Sequence, residues 1–298
     1  MVRAFLKHGK WIGYVIYTVL LTTGLLYYRF PSDKIHAYLV SAAAGTDPPM
    51  VLSLKAVRPG FPPGIHLIDA GISLRETPQQ DLLRADSISI TPAAWSFLSG
   101  APRYHFEAHA YNGDIEGHVG FEQYATDAPF ATSLRLKGIH IGRHPYLASL
   151  VGRDVSGVLG GAIQYAGQQN RLIDGAGQGT IVLSDGGVKL LQPILGLDSL
   201  NFDRLSMEIA LKDRKVSLNR VQLEGRTVKG ELSGAITLNT DLSKSRLDLK
   251  GTMEPLGGLF GNSKGDAAAL SFLRQGLKKL RRSFVIQGTF RNPVFRFI

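Results

Sequence analysis

LSMEIALKDRKVSLNRVQLEGRTVKGELSGAITL, residues Leu205 to Leu238, decides the fold. Leu205, Met207, Ile209 and Leu211 recur at every second position, with Ser206, Glu208 and Ala210 between them. Successive strand side chains point to opposite faces, so this spacing predicts a strand with one apolar face and one polar face. Asp213-Arg214-Lys215 then makes a turn, and Val216, Leu218, Val221 and Leu223 return. Their parity slips between 218 and 221, which predicts a β-bulge near Asn219–Arg220. After Gly225, a third strand carries Val228, Leu232, Ile236 and Leu238 on one face, with Gly230 and Gly234 between them. Strands joined in sequence by short turns form a meander, and clean alternation leaves one face apolar and one wet.

The same period of two extends outward. It is carried by Leu52 and Leu54, by Ile65 and Leu67 after the Pro62-Pro63-Gly64 turn, by Ile72 and Leu74, and by Ile88 and Ile90. Tyr104, Phe106, Ala108 and Ala110 alternate with His105, Glu107 and His109, and the pattern continues through 115–121, Leu134, Leu136, Leu247 and Leu249. A short helix is expected from Pro92 to Ser99, with Thr91 as its N-cap and Gly100 at its end. Gly152 to Gly179, rich in Gly and Gln, is the loosest segment and the place for a seam. The fold class is therefore mainly β with a few helices: a long, curved antiparallel sheet. Leu205, Met207, Ile209, Leu211, Val228, Leu232 and Ile236 are the candidate lining of its apolar side. Alternation is the same whether such residues fill a closed core or line an open trough.

Trp11 to Tyr28 (WIGYVIYTVLLTTGLLYY) holds no charged residue. At ~1.5 Å per residue it makes about 27 Å of helix, close to the ~30 Å hydrocarbon core of a bilayer. The anchor residues are Trp11, Ile12, Tyr14, Val15, Ile16, Val19, Leu20, Leu21, Leu25, Leu26, Tyr27 and Tyr28, with aromatic rings at both ends where headgroups lie. Arg3, Lys7 and Lys10 precede it, a small bias toward a cytoplasmic tail at 1–10. The run is longer than a signal-peptide core and ends in Tyr-Tyr-Arg-Phe-Pro rather than a small-residue cleavage site, so retention is expected. A second helix is expected over Asp33 to Ala44, capped by Ser32 and stopped by Gly45.

A last helix is expected from Asp266 to Arg282. Its basic end, Lys278, Lys279, Arg281 and Arg282, either rests on anionic lipid or is merely solvated. The net charge of +10 over 298 residues suits an acidic partner such as lipid headgroups, while its dispersal disfavours nucleic acid. The chain has no cysteine, which excludes disulfides, thiol nucleophiles and Cys-ligated metal. His105 and His109 lie too far apart along one strand to hold an ion unaided, and Gly142 and Pro145 oppose a helical pair at His140 and His144. Gly175-x-Gly177-x-Gly179 leads into a strand, where a phosphate loop requires a helix. Nothing orders the Ser, His and Asp residues into a triad, so no catalytic residue, metal or cofactor is expected.

The uncleaved anchor, Gly45-Thr46, Pro62-Pro63-Gly64-Ile65-His66-Leu67, Ile115-Glu116-Gly117 and the strands of 205–238 resemble the type II secretion system protein N (GspN) family. The ending Ile286-Gln287-Gly288-Thr289-Phe290-Arg291-Asn292-Pro293-Val294-Phe295 is similar to the closing motif of AsmA-like and TamB-like envelope proteins. The resemblance implies a single-pass protein of a bacterial inner membrane, with residues 29–298 in the periplasm. It also implies a trough or half-barrel with an apolar lining suited to acyl chains. The partners it implies are the inner membrane, other type II secretion subunits and phospholipid. It supplies no catalytic residues. The chain is much shorter than the long lipid bridges among those proteins.

Overall fold

The computed structural model describes residues 11–256 and 282–298, except 12, 19, 20, 23, 26, 47, 48, 61, 62, 77, 80, 98, 124, 126, 127, 144–154, 195, 196 and 227. Its body is one open antiparallel sheet of 14 strands in strict sequence order. They are β1 (Met50–Gly60), β2 (Gly64–Leu74), β3 (Asp81–Pro92), β4 (Arg103–Ala110), β5 (Gly113–Phe121), β6 (Pro129–His140) and β7 (Val155–Gln168). They continue as β8 (Ala176–Ile194), β9 (Leu197–Lys212), β10 (Lys215–Glu224), β11 (Val228–Thr237), β12 (Arg246–Pro255), β13 (Arg282–Thr289) and β14 (Pro293–Phe297). Each strand pairs with its predecessor, and β1 and β14 are the two edges.

The turns follow from local chemistry. Tyr111 and Asn112 (φ 51° and 61°) join β4 to β5, and Asp213 and Arg214 (φ 50° and 61°) join β9 to β10. Two residues with positive φ give the hairpin turn whose twist matches that of the flanking strands. The β9–β10 tip is also tied down from outside: the Arg214 guanidinium donates to the Asp174 carboxylate, which follows β7. That hydrogen bond, above all, holds the Asp174 carboxyl below the usual carboxylate range. A depressed folded pKa gives stability that is present above the unfolded value, about 3.9, and lost as pH falls from there through the lower folded value. Asp174→Asn should therefore lower the urea midpoint at pH 7, and its gap from wild type should close below about pH 4. A gap independent of pH would remove the ion pair from the account.

The expected bulge is present. The register of β10 shifts between Leu218 and Val221 against β11, and between Leu218 and Arg220 against β9. Further shifts occur between Leu136 and Ile139 of β6, where Gly138 has φ 66°, and between Ser156 and Val158 of β7. Bulges of this kind bend a strand and raise its local twist.

Several expectations are corrected. Ile65/Leu67 and Ile72/Leu74, of opposite parity, lie in one strand, β2, in which Asp69 adopts φ 52°. The helix at Pro92–Ser99 is replaced by a longer β3 and a single 3-10 turn at Ala94–Phe97. Thr91 and Pro92 pair with His105 and Tyr104, and proline is tolerated there because it ends the strand. The second helix, α1 (Ser32–Ala44), begins at Ser32 itself, with Pro31 as N-cap and no side-chain cap. Of the basic C-terminal helix, Lys278, Lys279 and Arg281 lie outside the described residues. Arg282 is the first residue of β13, where it pairs with Met253. Apart from these corrections, residues 155–179 of the stretch suggested for a seam hold β7, a 3-10 stretch at Gln169–Asp174 and the start of β8.

Of the expected anchor, Ile12, Val19, Leu20 and Leu26 lie outside the described residues, and the described positions from 11 to 28 are helical. Among the described residues, no helix is long and apolar enough to cross a membrane.

Candidate functional site

The register converts the alternation of single strands into continuous rows across the sheet. One row runs Pro59, Ile65, Ile90, Phe106, Gly117, Leu134 and Ile163 from β1 to β7. It continues as Gly179, Ile209, Leu218, Gly234, Leu249, Ile286 and Phe295 to β14. The next row on the same face starts at Val57, Leu67 and Ile88 and passes through Ile181, Met207, Val221 and Leu232 to Phe284 and Phe297. Neither row contains a polar side chain. With strands about 4.8 Å apart, each row is about 60 Å long, roughly four times the ~15 Å that a lipid tail spans in one leaflet.

The opposite face is charged and solvated. Cross-strand pairs there include Glu107 with Glu116, His105 with His118, and Lys229 with Glu254. Glu116 accepts from Lys137 at 2.7 Å and Arg135 at 3.2 Å, and the Lys137 hydrogen bond leads in holding its carboxyl below the ordinary range. His105 contacts Glu107 at 3.2 Å and His109 contacts Asp114 at 3.0 Å, all four side chains exposed. His140 Nδ1 lies 3.0 Å from the Gly138 carbonyl, and His144 lies outside the described residues. Gly177 and Gly179 sit within β8, where added Cβ atoms would meet the Gln164 and Ala162 carbonyls at 2.8 and 2.9 Å.

Cover over the apolar face is uneven. At the β1–β3 end, Phe30 with Ile35 and Leu39 of α1 packs on Val57, Leu67 and Ala70. Near the far ends of β8 and β9, Ile141, Leu183 and Phe202 close a small core with Val155, Leu159, Val188, Leu205 and Leu223 around it. Between and beyond these, the first row is half-buried except for the buried Leu249 and for Phe295, which is 37% exposed, whereas the second row includes the buried Ala108, Val221 and Phe284. All seven sequence-predicted lining residues lie in β9 and β11 on this face. Leu205 belongs to the filled end and Val228 is buried, whereas Met207, Ile209, Leu211, Leu232 and Ile236 are half-buried.

Two aromatic groups on this face escape a reading strand by strand. Tyr104, Phe121, Phe130 and Tyr165 form a ladder across β4 to β7, with centroid spacings of 6.2, 5.9 and 5.7 Å. Phe284 stacks on Phe295 at 5.0 Å, and Phe295 meets the edge-strand Phe297 at 5.0 Å. Sequence distance hides both groups, because only the register brings their members together.

At the β1 end of the first row lies a cleft of about 470 Å³. Tyr27, Tyr28, Phe30 and Ser32 wall it on one side; Arg58–Gly60, Gly64–His66 and Ser89–Thr91 wall it on the other. His66 Nδ1 is 2.9 Å from Ser89 Oγ. In comparisons with known proteins, no family model, no curated protein and no solved structure matches this chain.

Proposed function

We propose that this chain is a non-catalytic, membrane-anchored accessory protein of the bacterial envelope whose sheet holds phospholipid acyl chains along its apolar face. The carrying observation is the pair of rows without a polar side chain, the first of which stays half-buried over nearly its whole length. Among the described residues no second layer covers most of this face, and hydrocarbon satisfies the demand for apolar contact that a face of this length makes. Aromatic ladders add broad, flat contact area for tails. The bulges of β6, β7 and β10 supply the bends that turn a flat sheet into a trough.

The anchor reading has support of its own. Trp11, Tyr14, Val15, Ile16, Tyr17, Leu21 and Leu25 are 49–74% exposed, so these described apolar side chains of the helical stretch are largely uncovered. A bilayer covers such a surface, with residues 29–298 on its periplasmic side. Lipid extraction and mass spectrometry of the purified full chain should recover phospholipid at one or more molecules per chain. Protein that emerges lipid-free and folded would sink the reading.

A second reading, an accessory subunit of the type II secretion machinery, draws on the open edge at β14. That strand is exposed along its whole length, and an unpaired edge can accept a partner strand. Recovery of secretion subunits with the tagged protein would favour it.

A further inference from the structure

The tip between β3 and β4 carries Trp95 on its 3-10 turn, Ala94–Phe97, and this residue is 84% exposed. The turn around it is hydrogen-bonded. The Ser96 hydroxyl donates to the Ala93 carbonyl at 2.6 Å and accepts from the Arg103 amide at 2.9 Å. The Ala93 amide donates to the Arg103 carbonyl at 2.9 Å, which ties the tip to the start of β4. Local bonding therefore holds a broad apolar ring out in solvent, where the stabilisation that its burial would supply is not realised.

Position and charge name what covers it. Tyr27 and Tyr28, which end the apolar stretch, share a cleft with Gly60, Gly64 and Thr91. Trp95 follows Thr91 by four residues, at most about 14 Å of chain. The tip and the two rings expected at headgroup depth thus lie at one end of the sheet. Residues 92–103, PAAWSFLSGAPR, contain no carboxylate and one cation, the exposed Arg103. The β1–β2 tip beside it, within 58–66, also has no carboxylate and one arginine. The next four tips at this end each carry a carboxylate: Glu122 with Asp127, then Asp174, Asp213 and Asp241. Indole and guanidinium groups favour the headgroup layer of an anionic bilayer, which repels carboxylates. We infer that the β3–β4 tip is a second membrane contact, with Trp95 in the headgroup layer of the bilayer that holds residues 11–28. This inference rests on the anchor reading above and adds which end of the sheet faces lipid.

Trp11 and Trp95 are the two tryptophans of the chain, so each reading has its own fluorescent reporter. Both are exposed, and Trp11→Phe and Trp95→Phe leave the packing intact. Each full-length variant is reconstituted into vesicles of equal parts phosphatidylglycerol and phosphatidylcholine, with or without bromine on the upper part of the phosphatidylcholine tails. Bromine quenches an indole on contact. In Trp11→Phe, Trp95 should lose most of its emission in the brominated vesicles and be shielded from aqueous iodide. In Trp95→Phe, Trp11 should be quenched by bromine in the same way. Trp95 untouched by bromine and open to iodide, beside a quenched Trp11, overturns the second contact and leaves the anchor standing. Quenching of Trp95 that persists after the chain is repurified from the vesicles in detergent also overturns it, because the ring then meets carried tails and not the bilayer. Bromine without effect on either tryptophan overturns both readings.

Discussion

Gly234→Val is expected to destabilise the protein by about 4 kcal/mol or more, a large part of the roughly 5–15 kcal/mol that separates folded from unfolded domains. Gly234 has φ +140°, a conformation that L side chains rarely adopt. A Cβ there would stand 2.3 Å from the Asp248 carbonyl oxygen and 2.8 Å from Leu249 Cα. Both are backbone atoms of β12, which is paired to β11 from Val228–Pro255 to Thr237–Arg246 and to β13 on its other side. Neither can step aside without breaking a ladder. Gly234 also faces Leu218, the residue at which the β10 register shifts, so the glycine and the bulge form one local device for bending the sheet. Gly230, four residues earlier in the same strand, is the internal control. A Cβ there meets Thr252 O at 3.3 Å and Leu223 Cβ at 3.8 Å, so Gly230→Ala should cost no more than about 1 kcal/mol. Urea midpoints of the two variants check the contrast. Equal midpoints would mean that β11 does not take this path.

The residues that were easy to read explain why. In 205–238 the large apolar side chains recur at every second position within each strand, and short turns separate the strands, so strand, turn and bulge are all local properties. Asp213 and Arg214 with positive φ, and the shift after Leu218, stand where the pattern puts them. The β2 strand was harder. A left-handed Asp69 changes parity without a turn, and a parity change without a turn looks like two strands. Pro92 misled through a real preference for helix N-termini, overruled by its pairing with Tyr104. Arg282 shows the same conflict at the other end of the chain, since β13 takes it to pair with Met253.

The apolar face was legible only in fragments. Seven of its residues could be named from β9 and β11, because those strands alternate cleanly. Leu218, Leu249, Ile286 and Phe295 complete the same row, but no local pattern states that they are neighbours. Nor does spacing separate Leu205, which packs against Leu183 and Phe202, from Ile209 four residues on, which has no such cover among the described residues. That difference is set by Ile141 from the turn after β6 and Leu183 from β8, which meet Phe202 of β9 itself. The cleft beside Arg58 is further still from local pattern, since it joins residues 27–32 to three strand ends.

Ile209→Asp turns that difference into a measurement. Ile209 lies in β9 between Gly179 of β8 and Leu218 of β10, half-buried and with no side chain on the β8 side to close over it. In a chain that carries lipid, a carboxylate here lies against acyl tails. It must either keep its charge in hydrocarbon or take up a proton, both unfavourable by more than about 1.4 kcal/mol, so bound phospholipid should fall at least about tenfold. In the lipid-free chain the same carboxylate can reach water, and the urea midpoint should shift by no more than about 1 kcal/mol. Ala210→Asp, one residue on, places the charge on the opposite face between Gln178 and Ser217 and should leave lipid content at the wild-type level. A closed core would behave in the reverse way: Ile209→Asp would unfold the protein as a buried charge does, and lipid would be absent from every variant. Lipid retained at the wild-type level in folded Ile209→Asp would place the tails, if any, somewhere other than this row.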